Sequence, residues 1–304
     1  METQPTIFHP QPGSPLKGVL LVVLVSLFWG LGWTAMKVVL NEMGPWTFRS
    51  ICLLGGGASL LLLARAGGAP LRVPAEDLKA LAVTALINVT GWHILSAYGV
   101  SLLHSGRAAI IAYSMPLWAV ILSRVLLGER ITPRRWGALI VGFAGLALLI
   151  GPEVKALETA PAGAAFMLAA AACWGAGTVL VKFFPWHMPG TLVMGWQLAI
   201  GGIPVIIGTL LIEPVPAIAS FSGSALLALA FMLLGPIVLC QWAFFTVVQI
   251  FPANVAALST LSIPVIGVFS GALLLNEPVT WNEATALFLV LVSLGLTAFR
   301  PRRS

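Results

Sequence analysis

Trp29-Gly30-Leu31-Gly32, with Lys37 five positions beyond, recurs as Trp174-Gly175-Ala176-Gly177 with Lys182 five positions beyond. Both segments read W-G-x-G-x-x-x-x-K and lie 145 residues apart. Further along, the correspondence continues at an offset of 148. Pro116 meets Pro264, and Glu129 with Thr132 meets Glu277 with Thr280. Two anchors at separate points in each half point to an internal repeat rather than a chance likeness.

The composition says what kind of repeat this is. Apolar residues make up 59% of the 304 residues and charged residues only 9%. A soluble domain carries about 25% charged residues because its surface faces water. A surface this poor in charge faces lipid, and Asp77 is the sole aspartate. A net charge of +6 is not a nucleic-acid signal here, because the cations sit at the ends of apolar runs. Cys52, Cys173 and Cys240 lie inside apolar runs and read as small buried hydrophobes, not as disulfides or metal ligands. No cofactor is expected.

Ten apolar runs follow, near 18–40, 45–64, 78–101, 106–127, 133–150, 161–183, 190–212, 222–247, 254–275 and 281–299. Each approaches the roughly 20 residues that cross a hydrocarbon core. Gly44-Pro45, Gly67-Gly68, Gly151-Pro152, Glu213-Pro214, Phe251-Pro252 and Glu277-Pro278 separate them. The expected fold is an all-α membrane protein of ten transmembrane helices. Residues 17–151 and 152–300 form two five-helix repeats, flanked by a disordered stretch at 1–16 and a short tail at 301–304. Five spans per copy is an odd number, so the second copy enters the membrane from the opposite side, an inverted repeat of the kind many secondary transporters use. With both termini in the cytoplasm, twelve of the sixteen Lys and Arg residues fall on that side. The expected location is the bacterial inner membrane.

Several side chains could carry transport. Trp29, Trp33 and Lys37 share one face of span 1, and Trp174, Thr178 and Lys182 share one face of span 6. The lysines either stand at the mouth of a path or snorkel to the interface. His93 and Gln241 are related by the offset of 148 and lie inside apolar runs. A polar group at that depth needs a partner or water, so the two either line a hydrated cavity or bond between helices. Trp92, Tyr98, Tyr113, Trp118, Trp242 and Phe245 cluster on the same spans, and the deeper Trp118, Trp174 and Trp242 could offer a π-face to a solute or pack against neighbours. Trp46, Trp136, Trp186 and Trp281 sit at span ends, as belt residues do. Pro116 and Pro264 fall in the middle third of spans 4 and 9 and are either hinges or static kinks.

These features resemble the drug/metabolite transporter superfamily and, within it, the EamA-type permeases. The likeness covers residues 17–299. It rests on the two W-G-x-G segments, on Pro116 and Pro264, and on Leu127-Gly128-Glu129-Arg130 and Leu275-Asn276-Glu277-Pro278. The overall look is similar to bacterial YddG-type aromatic amino acid exporters. The resemblance implies a ten-helix carrier with a central cavity lined mainly by spans 1, 3, 4, 6, 8 and 9. Family members export amino acids and related metabolites, or carry nucleotide sugars, triose phosphates or drugs.

Three function classes remain to be weighed. A carrier that exports aromatic and other neutral amino acids by alternating access is the first, with another metabolite or a drug as the alternative cargo. No carboxylate and no cluster of Lys or Arg lies mid-span, which favours a zwitterionic or neutral solute over an organic cation or a phosphate. A passive channel is the second class; an inverted repeat with paired prolines argues against it. An intramembrane enzyme is the third, and the chain carries no H-E-x-x-H and no G-x-S-x-G. The partners expected are the bilayer and a small solute. Neither nucleic acid nor a required protein partner is expected.

Overall fold

The computed structural model describes the backbone of residues 15–156, 160–214, 220–251 and 261–298. The described residues are helical, with no strand among them. The expected disordered start and short tail lie outside them, apart from the first helical residues.

Helix α1 (Pro15–Leu40) leads into α2 (Pro45–Ala66), which starts on a proline that needs no N–H partner. A short helix α3 (Leu78–Thr84), a π-helical stretch (Ala85–Gly91) and α4 (Trp92–Leu102) form one continuous span. Then come α5 (Ser105–Ala112), α6 (Met115–Leu126) and α7 (Pro133–Ala156). The second half has α8 (Ala160–Phe183), α9 (Gly190–Ile212) and α10 (Gly223–Met232), a second π stretch (Leu233–Leu239), and α11 (Cys240–Ile250). It ends with α12 (Ser262–Leu275) and α13 (Trp281–Ala298).

Seven of the described helical spans are long and apolar enough to cross a membrane, and two shorter apolar helices follow. Their outer faces are apolar too. Leu211, Leu273 and Leu227 are 81%, 78% and 74% exposed. A helix hydrophobic all round belongs in lipid, because no aqueous surface tolerates such leucines in number.

Small residues set the packing. A methyl group added at Gly30 would strike Ile266 and approach the Ile263 carbonyl, so α1 lies directly on α12. One added at Gly175 would strike Trp118 and the Met115 carbonyl, so α8 lies on α6. These four partners are related by the same 148-residue offset. Gly32 against Pro236 and Gly177 against Asn88 form another related pair, as do Gly56 against Ile237 and Gly201 against Val89. The two π stretches also correspond, residue for residue, at an offset of 148. The two halves therefore pack by one plan.

Carboxylates hold the helix ends. Glu213 accepts from the Trp46 and Thr47 backbone N–H groups at 3.0 and 2.8 Å, capping α2. Glu277 accepts from the Ser105 and Gly106 N–H groups at 2.7 and 3.1 Å, capping α5. The two faces of the bundle are marked by Lys37 and by Lys182. On the Lys37 face, Ser222 N donates to Glu42 at 2.7 Å. On the Lys182 face, His187 N donates to Asp77 at 3.0 Å, and its ring Nδ1 lies 2.8 Å away. Residues 42 and 187, and residues 77 and 222, are again repeat equivalents.

Pro116 departs from expectation. The run expected as one bent helix is divided at Tyr113 and Ser114, and Pro116 is the second residue of α6. Proline lacks an N–H and its ring crowds the preceding turn, so the helix breaks upstream of it. Pro264 holds the third position of α12, and residues 252–260 before it lie outside the described residues.

Candidate functional site

Three tryptophans meet in the interior. Trp92 at the start of α4 stands edge-on to Trp33 of α1, with ring centres 6.4 Å apart at 87°. Its other side meets Trp174 of α8 at 5.1 Å and 60°. Trp33 is 6% exposed, while Trp92 and Trp174 are half-buried. Offset and edge-to-face contacts of this kind add roughly 0.5–1.5 kcal/mol beyond burial. Tyr113 packs against the same core. His93 follows Trp92, and its Nδ1 is buried with no hydrogen-bond partner.

Other expected lining residues have different neighbours. Tyr98 receives a hydrogen bond from Trp46 Nε1 at 2.9 Å and stacks on Phe166. Trp118 donates to Ser114 Oγ at 3.3 Å and meets Phe143 edge-on. Trp242 is 51% exposed, on the side of α11 away from Cys240, Ala243 and Val247, which pack against α1. The side chains of Gln241 and Phe245 lie outside the described residues. Pro116 and Pro264 sit at helix starts, as described above.

Arg49, a cation near the start of the second apolar run, is buried, with 2% exposure. Its Nε donates to the His93 carbonyl at 3.0 Å, and Nη2 lies 3.0 Å from both Ser96 Oγ and Met36 Sδ. Arg49 is the fifth residue of a helix that starts at Pro45, one turn inside the span edge. Trp92 belongs to the aromatic cluster of the sequence, whereas its place between Trp33 and Trp174 and the π stretch leading into it leave no mark there. π-helical segments occur often at functional sites, because the extra residue re-aims the side chains that follow. Among the described residues, no group of three or more His, Cys, Asp or Glu is placed to hold a metal ion.

The two repeat-related lysines differ in their surroundings. Lys37 is half-buried, and its ammonium donates to the carbonyls of Val100, Ser101 and Leu103 at 2.9, 2.9 and 2.8 Å. These are carbonyls at the end of α4, where no helical N–H remains to pair with them. Lys182 has a side chain 68% exposed and pairs with Glu129, which Arg135 also approaches. That pairing holds the Glu129 carboxyl below its ordinary value, mainly through the Lys182 contact. Thr178, one turn inside Lys182, is exposed. It shares a helix face with Ala171, which is 0% exposed, so the opening lies at the end of an interior face. Its equivalent in the first half is the buried Trp33. On α6, Ala119, Val120, Leu122 and Ser123 are half-buried, whereas their equivalents Gly267, Val268, Ser270 and Gly271 on α12 are buried. Among the described residues, equivalent positions are thus covered toward the Lys37 face and open toward the Lys182 face.

Comparison with known proteins agrees with this architecture. The pattern of the EamA-like transporter family matches residues 16–151 and again residues 161–299. The "Uncharacterized transporter YoaV" of Bacillus subtilis is 26% identical over 93% of this chain and 97% of its own. A "Probable amino-acid metabolite efflux pump" of Salmonella typhimurium is 24% identical over 95% of this chain and 97% of its own. The "Aromatic amino acid exporter YddG" of Ancylobacter novellus is 26% identical over 57% of this chain and 62% of its own. A solved structure, titled only "Crystal structure of protein", superposes with a TM-score of 0.66 at 22% identity, covering 93% of this chain and 97% of the other, and so shares its fold. The double match and the paired helix contacts lead to one conclusion: this multi-pass membrane chain belongs to the EamA-like transporter family.

Proposed function

We propose that this protein is a secondary carrier that exports amino acids across the bacterial inner membrane, with aromatic and other neutral amino acids preferred. The carrier has ten membrane crossings in two inverted five-helix halves, and the Lys182 face is cytoplasmic. The observation that carries the reading is the unequal state of equivalent residues. Trp33 and Lys37 are covered where Thr178 and Lys182 are open. Two halves with one packing plan can exchange these states, and the exchange moves the opening from one face to the other.

The chemistry of each step follows from named residues. A solute enters from the cytoplasm past Lys182 and Thr178. It reaches the Trp33, Trp92 and Trp174 rings, whose faces suit an aromatic or aliphatic side chain and attract an ammonium group. Closure then covers Thr178 and Lys182 as Trp33 and Lys37 are covered now. Release of the Lys37 ammonium from the end of α4 opens the outer face. Both the named amino acid exporters among its relatives and the lack of a mid-span carboxylate support the choice of solute.

The test is counterflow in proteoliposomes holding the purified protein. Vesicles preloaded with unlabelled L-phenylalanine should accumulate labelled L-phenylalanine transiently, with and without a pH gradient. Single-channel currents without counterflow would contradict the carrier reading. Counterflow of another solute class with none for any amino acid would contradict the choice of solute.

A further inference from the structure

We infer that Arg49 is the anchor for the carboxylate group of the transported solute. The inference rests on the carrier reading above and adds the chemical group that the site must recognise. Arg49 lies in the interior, two per cent exposed, between α1, α2 and α4. An ionised guanidinium held away from water is costly unless a counter-charge or a task accounts for it. The partners of Arg49 are all neutral: a backbone carbonyl, a serine hydroxyl, a thioether and the face of Phe48 at 4.7 Å. No carboxylate lies within ion-pairing distance among the described residues. The nearby acids at the helix ends are committed elsewhere, Glu213 to the start of α2 and Glu277 to the start of α5.

The hydrogen-bond pattern indicates what is missing. A guanidinium has five N–H donors. Nε and Nη2 are engaged, and the two Nη1 donors have no acceptor among the described residues. A carboxylate supplies the missing charge and accepts from this edge with charge-assisted bonds.

A second set of unpaired groups lies on the helix stretch that Arg49 grips. His93 Nδ1 and Asn88 Oδ1 are both buried without a partner. Asn88 lies in the first π stretch, and His93 follows it by one residue beyond Trp92. Trp92 joins this stretch to Trp33 and Trp174. A zwitterionic amino acid answers the Arg49 edge with its carboxylate, and its ammonium and apolar side chain suit the faces of the neighbouring tryptophan rings. Arg49 is reached last by a solute coming from the open face, so the carboxylate leads. A guanidinium that only glued three helices would confer no preference between an acid and its ester.

The test uses purified full-length protein and three probes: L-phenylalanine, 3-phenylpropionate and L-phenylalanine methyl ester. Melting temperature is read against probe concentration, and counterflow of L-phenylalanine is read in parallel. Both carboxylates are expected to raise the melting temperature of the unchanged protein, with the ester at least tenfold weaker. Arg49→Gln should abolish the shift and Arg49→Lys should weaken it tenfold or more. The comparison of acid with ester needs no variant, so a variant that fails to fold leaves the test intact. Equal response to acid and ester, response to none of the three, or an unchanged response in a folded Arg49→Gln protein would overturn the anchor. Arg49-dependent binding of acids without amino acid counterflow would keep the anchor and remove the exporter reading. Counterflow that is indifferent to esterification and to Arg49→Gln would do the reverse.

Discussion

Lys37 and Lys182 hold one position in the repeat and differ in what they bind. The first satisfies three carbonyls at the end of α4; the second is itself exposed and pairs with Glu129. Lys37→Met should therefore cost about 1–3 kcal/mol, the range for buried carbonyls left unpaired. Lys182→Met should cost no more than about 1 kcal/mol, as exposed ion pairs do. Melting of the two purified variants checks this, and equal losses would contradict it. A pH effect belongs to His187. The Asp77 carboxylate beside it raises the His187 imidazole above its ordinary 6.5, chiefly through their hydrogen bond. A raised value means the folded state favours the charged ring. That stability is fully present below pH 6.5 and is lost as pH rises through the raised value. The melting difference between the unchanged protein and His187→Gln should thus shrink toward alkaline pH; a difference that grows would contradict the pairing. Depth was legible for His93 and Trp174 because both lie well inside apolar runs. Arg49 was not, because one turn separates it from Pro45 and a span edge cannot be fixed that finely from hydropathy. Side-chain direction was not legible for Tyr98, Trp118 or Trp242, whose neighbours depend on how the helices rotate against one another.

At the scale of elements, glycines decide where helices touch. Gly30 and Gly175 hold equivalent contacts, α1 on α12 and α8 on α6. Valine at either should overpack the interface by at least about 1–3 kcal/mol. Gly137, within α7, has nothing within 4 Å of an added methyl group. Gly137→Ala should be neutral or gain up to about 1 kcal/mol from helix propensity. Thermal melts of the three variants check the contrast, and a destabilised Gly137→Ala beside a tolerated Gly30→Val would refute it. The W-G-x-G segments announced these contacts because their spacing repeats. The π stretches left no such mark. Pro236 lies inside one and Asn88 occupies the same place in the other. An i→i+5 pattern is a choice of backbone hydrogen bond that apolar periodicity does not encode. The break before Pro116 was half legible: proline announced a disturbance, and packing chose a break at Tyr113 and Ser114 over a bend.

At the scale of the molecule, the repeat was the most legible feature, since two offsets sufficed to pair residues that later proved to make equivalent contacts. The conformation was not legible, because both halves carry the same signals and only packing makes them unequal. Alternating access requires the two halves to exchange states. Cysteine accessibility, in a background lacking Cys52, Cys173 and Cys240, reads this exchange. Thr178→Cys and Trp33→Cys are labelled with a membrane-impermeant maleimide in vesicles of known orientation, from the side each residue's helix end faces. At rest, Thr178→Cys should react and Trp33→Cys should not. Under outward flux of L-phenylalanine, labelling at position 178 should fall while labelling at position 33 rises. Labelling at both positions together, or at neither as flux is applied, would contradict the exchange.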